Sequence, residues 1–156
     1  MDPGGGGAPV RTIERTAQRS IPPFKERLRQ LVTMSRSFDM EPVFVTQPAL
    51  YGGGPDPTTG IDFSNRRINE YGSGEHEWRF LDLYNRATRQ VGAEQHVLVV
   101  DLAAELPKDS QYFYDLVHFS KLGAVKVAAI VGQHLEPWLA DRVVRKNRAA
   151  SKQLQE

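Results

Sequence analysis

The chain has 156 residues, 40% of them hydrophobic and 25% charged, which is enough for one globular domain with a real core and matches an ordinary soluble protein in composition. Its formal net charge of +1 gives no overall field favouring nucleic acid or an anionic membrane, so the balance argues against a nucleic-acid partner. The absence of cysteine excludes disulfides, thiolate metal sites and a cysteine nucleophile, and it fits an oxidising or a reducing compartment equally.

The first 21 residues, opening "MDPGGGGAPV", lack the apolar run of a secretory signal and read as a flexible, Gly-rich lead-in. No run of 18 apolar residues exists to span a membrane. From Pro22, "PPFKERLRQLVTMSRSF" places Phe24, Leu28, Leu31, Val32 and Ser35 at helical spacing, which predicts an amphipathic helix over about 24–38. "VFVTQ", 43–47, is a short apolar run without polar alternation and predicts a strand covered on both faces, as in parallel sheets. Residues 49–76 are rich in glycine and without sustained period, and read as one long loop. A second helix is predicted over 77–93, with Leu81, Tyr84, Thr88 and Val91 on one stripe, then a second buried strand, "VLVVD", at 97–101. After a turn at "AAELP", a last helix is predicted over 120–139, with Ser120 as N-cap and Val127, Ile130, Val131 and Leu135 inward. Residues 141–156 form a basic tail, read as a frayed, solvated helix end, with a partner-binding arm as the rarer alternative.

Helix and buried strand alternate, which is α/β order, and the right-handed crossover rule predicts that the two strands lie side by side and parallel. Two strands are too few for a stable doubly wound sheet, so part of the sheet is expected to be missing. One strand edge and one apolar helix face should then be poorly covered, which favours self-association.

The chemistry gathers at "FYDLVHFSKLG", 113–123, where Asp115 and His118 stand three residues apart between the second strand and the last helix. With nine Asp and four His, about 0.2 occurrences of D-x-x-H are expected by chance, so the bare spacing is weak and a surface Asp capping a turn beside a half-buried His explains it as well. Context adds weight, because the pair follows a strand at the edge of an α/β sheet, where ligand sites collect. The long loop leaves the end of the first strand and should lie at that same end. Of the other histidines, His76 falls in the long loop and could reach a site, whereas His96 and His134 read as structural. Asp115, His118 and His76 also admit a metal reading, without the tight H-x-x-x-H spacing that would support it. Among the serines, Ser73 is flanked by glycines in "YGSGEH" but lacks the strand-turn-helix setting of a nucleophile elbow; Ser35 and Ser37 belong to the first helix.

From Phe24 to about 139 the chain resembles the C-terminal half of the SGNH hydrolases, also called GDSL esterases and lipases. "PVFVTQPALYG" is similar to that family's fourth strand and following loop, "LYNRATRQVGAEQHVLVVDLAAELP" to its fifth-strand unit, and "YFYDLVHFSKLGAVKVAAIVGQHL" to its final block. The resemblance implies a three-layer α/β/α, flavodoxin-like parallel sheet whose N-terminal strands are missing, with residues 22–140 as its C-terminal half. It implies a serine ester hydrolase in which His118 is the general base and Asp115 orients it, with no cofactor and a small-molecule, glycan or lipid ester as substrate. The G-D-S segment with the nucleophile, and the glycine and asparagine of the oxyanion hole, have no counterpart in this chain. Two classes follow: a hydrolase whose missing N-terminal half carries the serine, its compartment unassigned and secretion left open if this N-terminus is a truncation, or a non-catalytic interaction or structural derivative of the fold.

Overall fold

The computed structural model describes residues 7–68 and 72–153, with side-chain surroundings for 15–68 and 72–144. In chain order the elements are α1 (Gly7–Ser37), β1 (Val43–Val45), α2 (Gly74–Glu94), β2 (Leu98–Val100), α3 (Leu102–Glu105) and α4 (Lys121–Gln153). This is mixed α/β architecture, mostly helical, around a small two-stranded sheet. The strands pair in parallel, Val43 opposite Leu98, Phe44 opposite Val99 and Val45 opposite Val100, as the helix-strand alternation predicts.

Side chains alternate across the sheet and divide between two apolar clusters. Val43 and Val100 join Leu50, Leu102, Leu106, Phe113 and Ile130 on the face covered by α4. Phe44 and Val99 join Leu28 and Val32 of α1, Val91 of α2, and Val97 on the other face. Because an apolar layer lies on each side, the strands read in the sequence as unbroken apolar runs. Gly92 lets α2 approach the sheet, since a Cβ there would lie 2.1 Å from Val99 Cγ2.

Helix α1 runs parallel to α2, and Phe24 meets Tyr84 edge-on with ring centroids 4.9 Å apart. Lys25 bonds to Gln90, and Arg29 Nη2 lies 2.8 Å from Glu94. Phe44, beneath this helical layer, is only 6% exposed.

Three boundaries differ from the sequence expectation. Of the expected flexible lead-in, residues 1–6 lie outside the described residues, whereas 7–21 belong to α1. Pro22 and Pro23 sit inside that helix and do not start it. Arg15, Ala17, Gln18 and Arg19, ahead of the prolines, are good helix formers. Helix α2 begins at Gly74 and not at 77, because loop carbonyls cap its first turn: Gly74 N donates to Arg66 O and Glu75 N to Ser64 O. Helix α4 continues through Pro137 to Gln153 and takes in most of the basic tail. No helix of the described residues is long and apolar enough to cross a membrane.

Candidate functional site

The segment from Phe113 to Phe119 is a tight loop closed on itself. Phe113 and Phe119 form an antiparallel bridge, their ring centroids lie 5.9 Å apart, and Tyr114 N donates to His118 O at 2.7 Å. Inside it, Asp115 Oδ1 accepts the backbone N–H groups of Val117 and His118, each at 2.8 Å, which is an Asx turn of the kind aspartate makes readily. Oδ2 of the same carboxylate lies 2.8 Å from His118 Nδ1. Those two backbone donors, with the imidazole third, hold the Asp115 carboxyl down at about 2. Asp115 is therefore ionised at neutral pH and only accepts, so the proton of the neutral imidazole sits on Nδ1 and Nε2 keeps its lone pair. Three hydrogen bonds accepted by one aspartate thus fix both the turn and the ring's tautomer.

Further contacts fasten this segment to the loop that follows β1. Leu50 N donates to Leu116 O at 2.9 Å, Ser110 N to Asp56 Oδ1 at 2.7 Å, and Thr58 Oγ1 to Asp109 Oδ1 at 2.6 Å. Burial raises the Asp56 carboxyl, but donors from Thr59 and Ser110 outweigh it and bring it down to about 2. Lys108 reaches under the same loop, donating from Nζ to Ala49 O and Tyr51 O at 2.8 Å each, with its ammonium 3.3 Å from the centroid of the Trp78 ring. Desolvation lowers the Lys108 amine to about 8 against the opposing pull of Asp82. The loop after β1 and the Asp115/His118 segment therefore share one end of the sheet, where the chain order puts both.

At the strand ends themselves, Thr46 Oγ1 donates to Asp101 Oδ1 at 2.7 Å and accepts from Ala103 N at 2.9 Å, while Arg89 Nε donates to Asp101 Oδ2 at 2.9 Å. This network joins β1, α2, β2 and α3 directly beneath the loops. Its members are scattered through the sequence without a motif, and the only cue was the polar residue closing each apolar run, Thr46 and Asp101.

The remaining residues singled out in the sequence lie elsewhere. His76 is in the first turn of α2 and not in the loop, with Nδ1 3.2 Å from Ser73 Oγ. Neither residue bonds to Asp115 or His118, and Ser73 sits at a helix N-cap, not at a nucleophile elbow. His96 occupies a left-handed turn position (φ 53°), and His134 Nε2 lies 2.8 Å from Glu105, tying α4 to α3. Ser120 caps α4 by accepting from Gly123 N at 3.0 Å. Among the described residues no group of three or more His, Asp or Glu could hold a metal ion. The His118 side chain is 76% exposed and that of Asp115 46%, so Nε2 is accessible from outside. No family model, curated protein or solved structure matches the chain.

Proposed function

We propose that Asp115 and His118 are the orienting acid and the general base of a Ser-His-Asp ester hydrolase of the SGNH (GDSL) type, and that a polypeptide segment outside this chain supplies the serine. The reading rests on one observation: the His118 imidazole is held by Nδ1 against an ionised, backbone-anchored carboxylate, which leaves Nε2 as an accessible acceptor at the loop end of the sheet. That is the arrangement a serine nucleophile needs. As the serine oxygen attacks the ester carbonyl, His118 Nε2 takes its proton and Asp115 stabilises the imidazolium. When the tetrahedral intermediate collapses, the same proton goes to the leaving alcohol. Water, deprotonated in turn by Nε2, then attacks the acyl-serine, and as the acyl–oxygen bond to serine breaks the proton passes from Nε2 to the serine oxygen and the acid is released. The substrate class is an acyl or acetyl ester of a small molecule, glycan or lipid, and no cofactor takes part. The two-stranded sheet is, in this reading, part of a flavodoxin-like three-layer sheet completed by the segment that carries the serine.

A second reading, a non-catalytic derivative of the fold, is favoured by the high exposure of His118, since working dyads are commonly shielded from water. Hydrolysis of p-nitrophenyl acetate separates the two. The chain alone should show no turnover beyond that of free imidazole, because it lacks the covalent step and an oxyanion hole, for which one donor is often worth about 10²–10³ in rate. Fused to or co-expressed with the N-terminal half of an SGNH domain, it should hydrolyse the ester, and His118→Ala should remove most of that activity. Turnover indifferent to His118→Ala would sink the hydrolase reading.

A further inference from the structure

Helix α4 is apolar on two opposite sides. Its inner side packs on the sheet: Ile130 is buried in the cluster that holds Val43 and Val100, Val127 and Val131 lie against it, and His134 Nε2 reaches Glu105 of α3. The outer side follows the helical steps Leu122, Val125, Ala129, Gly132, Glu136 and Leu139, half a turn of the helix away from Val127 and Ile130. Leu122 is 51% exposed, Val125 67% and Leu139 50%, and Ala129 and Glu136 are exposed as well. A Cβ at Gly132 would come nearest to Glu136 Oε1, at 3.9 Å, so the surface is open there. A helix whose core side is already packed ordinarily turns charged residues outward. These six positions carry one, Glu136.

The order of residues along this stripe matches its own reverse. About a two-fold axis that crosses the helix between Ala129 and Gly132, Leu122 meets Leu139 of a second copy, Val125 meets Glu136, and Ala129 meets Gly132. The smallest residues then stand at the centre, where two helices must approach most closely, and the leucines close the ends. Lys126, beside Val125, comes level with Glu136 of the second copy to within one residue's rise, about 1.5 Å. The single carboxylate of the stripe is thus met by a cation, and symmetry makes the pair twice. A parallel pairing would instead set Glu136 against Glu136. Strands added beside β1 or β2 would extend the sheet in its own plane, on the inner side of α4, and would leave this stripe open.

We propose that two copies of this chain associate through the outer side of α4, antiparallel about a two-fold axis between Ala129 and Gly132, with Lys126 of each copy on Glu136 of the other. The pairing rests on the charge and size pattern of one helix and does not depend on the hydrolase reading, so its test makes no use of activity.

Sedimentation equilibrium of the full chain across the micromolar range is the test, and a reversible monomer-dimer equilibrium is expected. Ala129→Arg puts a long cation at the centre of the stripe. Arginine is a good helix former and the site is exposed, so the thermal midpoint of the monomer should hold while the dimer is lost. Lys126→Glu and Glu136→Lys each set like charges together at two places, and each should weaken the dimer by about tenfold or more. The double exchange, Lys126→Glu with Glu136→Lys, restores both pairs and should bring the dissociation constant back toward that of the wild type. A chain that stays monomeric throughout, or a dimer indifferent to Ala129→Arg, would overturn the proposal. A dimer lost in Ala129→Arg but not recovered by the double exchange would overturn the antiparallel pairing of Lys126 with Glu136.

Discussion

Thr46 Oγ1 sits between the Asp101 carboxylate, to which it donates at 2.7 Å, and the Ala103 N–H, from which it accepts at 2.9 Å, with only 1% of the residue exposed. One hydroxyl therefore closes the end of β1 onto the end of β2 and the first turn of α3. Thr46→Val keeps the shape but leaves a buried N–H unpaired and takes a donor from Asp101. The expected loss is about 1–3 kcal/mol of unfolding free energy, measured by urea denaturation. Thr46→Ser, which keeps the hydroxyl, should cost less; equal losses would mean that packing and not the bond matters here.

Gly123 lies in the first turn of α4 against the loop that carries the dyad. A Cβ there would stand 1.8 Å from Tyr112 O, a backbone atom that cannot rotate away. Gly123→Ala must therefore push α4 off the 112–120 segment. The expected cost is roughly 2–4 kcal/mol, although alanine is the better helix former by about 1 kcal/mol. Ala124→Gly, one residue along and exposed, should show only the ordinary helix penalty. A stable, native-like Gly123→Ala protein would show that the helix does not pack where described.

Lys108 gives a pH signature with a definite sign. Its folded value of about 8 lies below the ordinary lysine value of 10.5, so folding releases a proton between those limits. The desolvation penalty is present in full below about pH 8 and fades as pH rises toward 10.5, so the contribution of this group makes the fold more stable over that window. Lys108→Met should flatten the rise. Denaturation series at pH 7 to 10.5 on both proteins test this, and parallel curves would refute it.

The parts legible in the sequence are those carried by local pattern. Val43 to Val45 and Leu98 to Val100 announce buried strands because an apolar layer on each face removes polar alternation, and parallel pairing follows from the helix between them. The Asp115–His118 spacing is a turn contact of three residues, again local. What escaped the sequence is long-range or set by partners elsewhere. Asn85 meets Gln47 across 38 positions, Lys108 meets Ala49 across 59, and nothing near either residue signals the other. The start of α2 was misplaced for the same reason, since carbonyls of Ser64 and Arg66 cap it in place of a side chain of its own. Pro22 and Pro23 look like a helix start, as proline usually does at a first turn, yet α1 runs through them.

Asp115 offers the most direct test of the dyad, because its two oxygens do different work. Oδ1 holds the turn through the N–H groups of Val117 and His118, and Oδ2 sets the imidazole tautomer. The folded carboxyl is depressed to about 2 from 3.8, so what it contributes is present above the unfolded value and is lost as pH falls through the window from 3.8 to about 2. In the isolated chain the amide resonances of Val117 and His118 should show an acid transition below pH 4 with a midpoint near 2, as the Asp115 carboxyl takes up its proton. A midpoint at the ordinary carboxylate value would mean that these bonds do not form in solution. Asp115→Asn removes the charge and can turn an N–H toward Nδ1, which shifts the neutral ring to the Nε2–H form and takes the lone pair from the nitrogen that must act as base. Nitrogen-15 spectra of the imidazole should show Nδ1–H in the wild-type chain and Nε2–H in the variant. In a completed enzyme the same change should cost roughly 10³–10⁴ in kcat, by analogy with wrong-tautomer variants of such triads. An unchanged tautomer in Asp115→Asn would remove Asp115 from its orienting role.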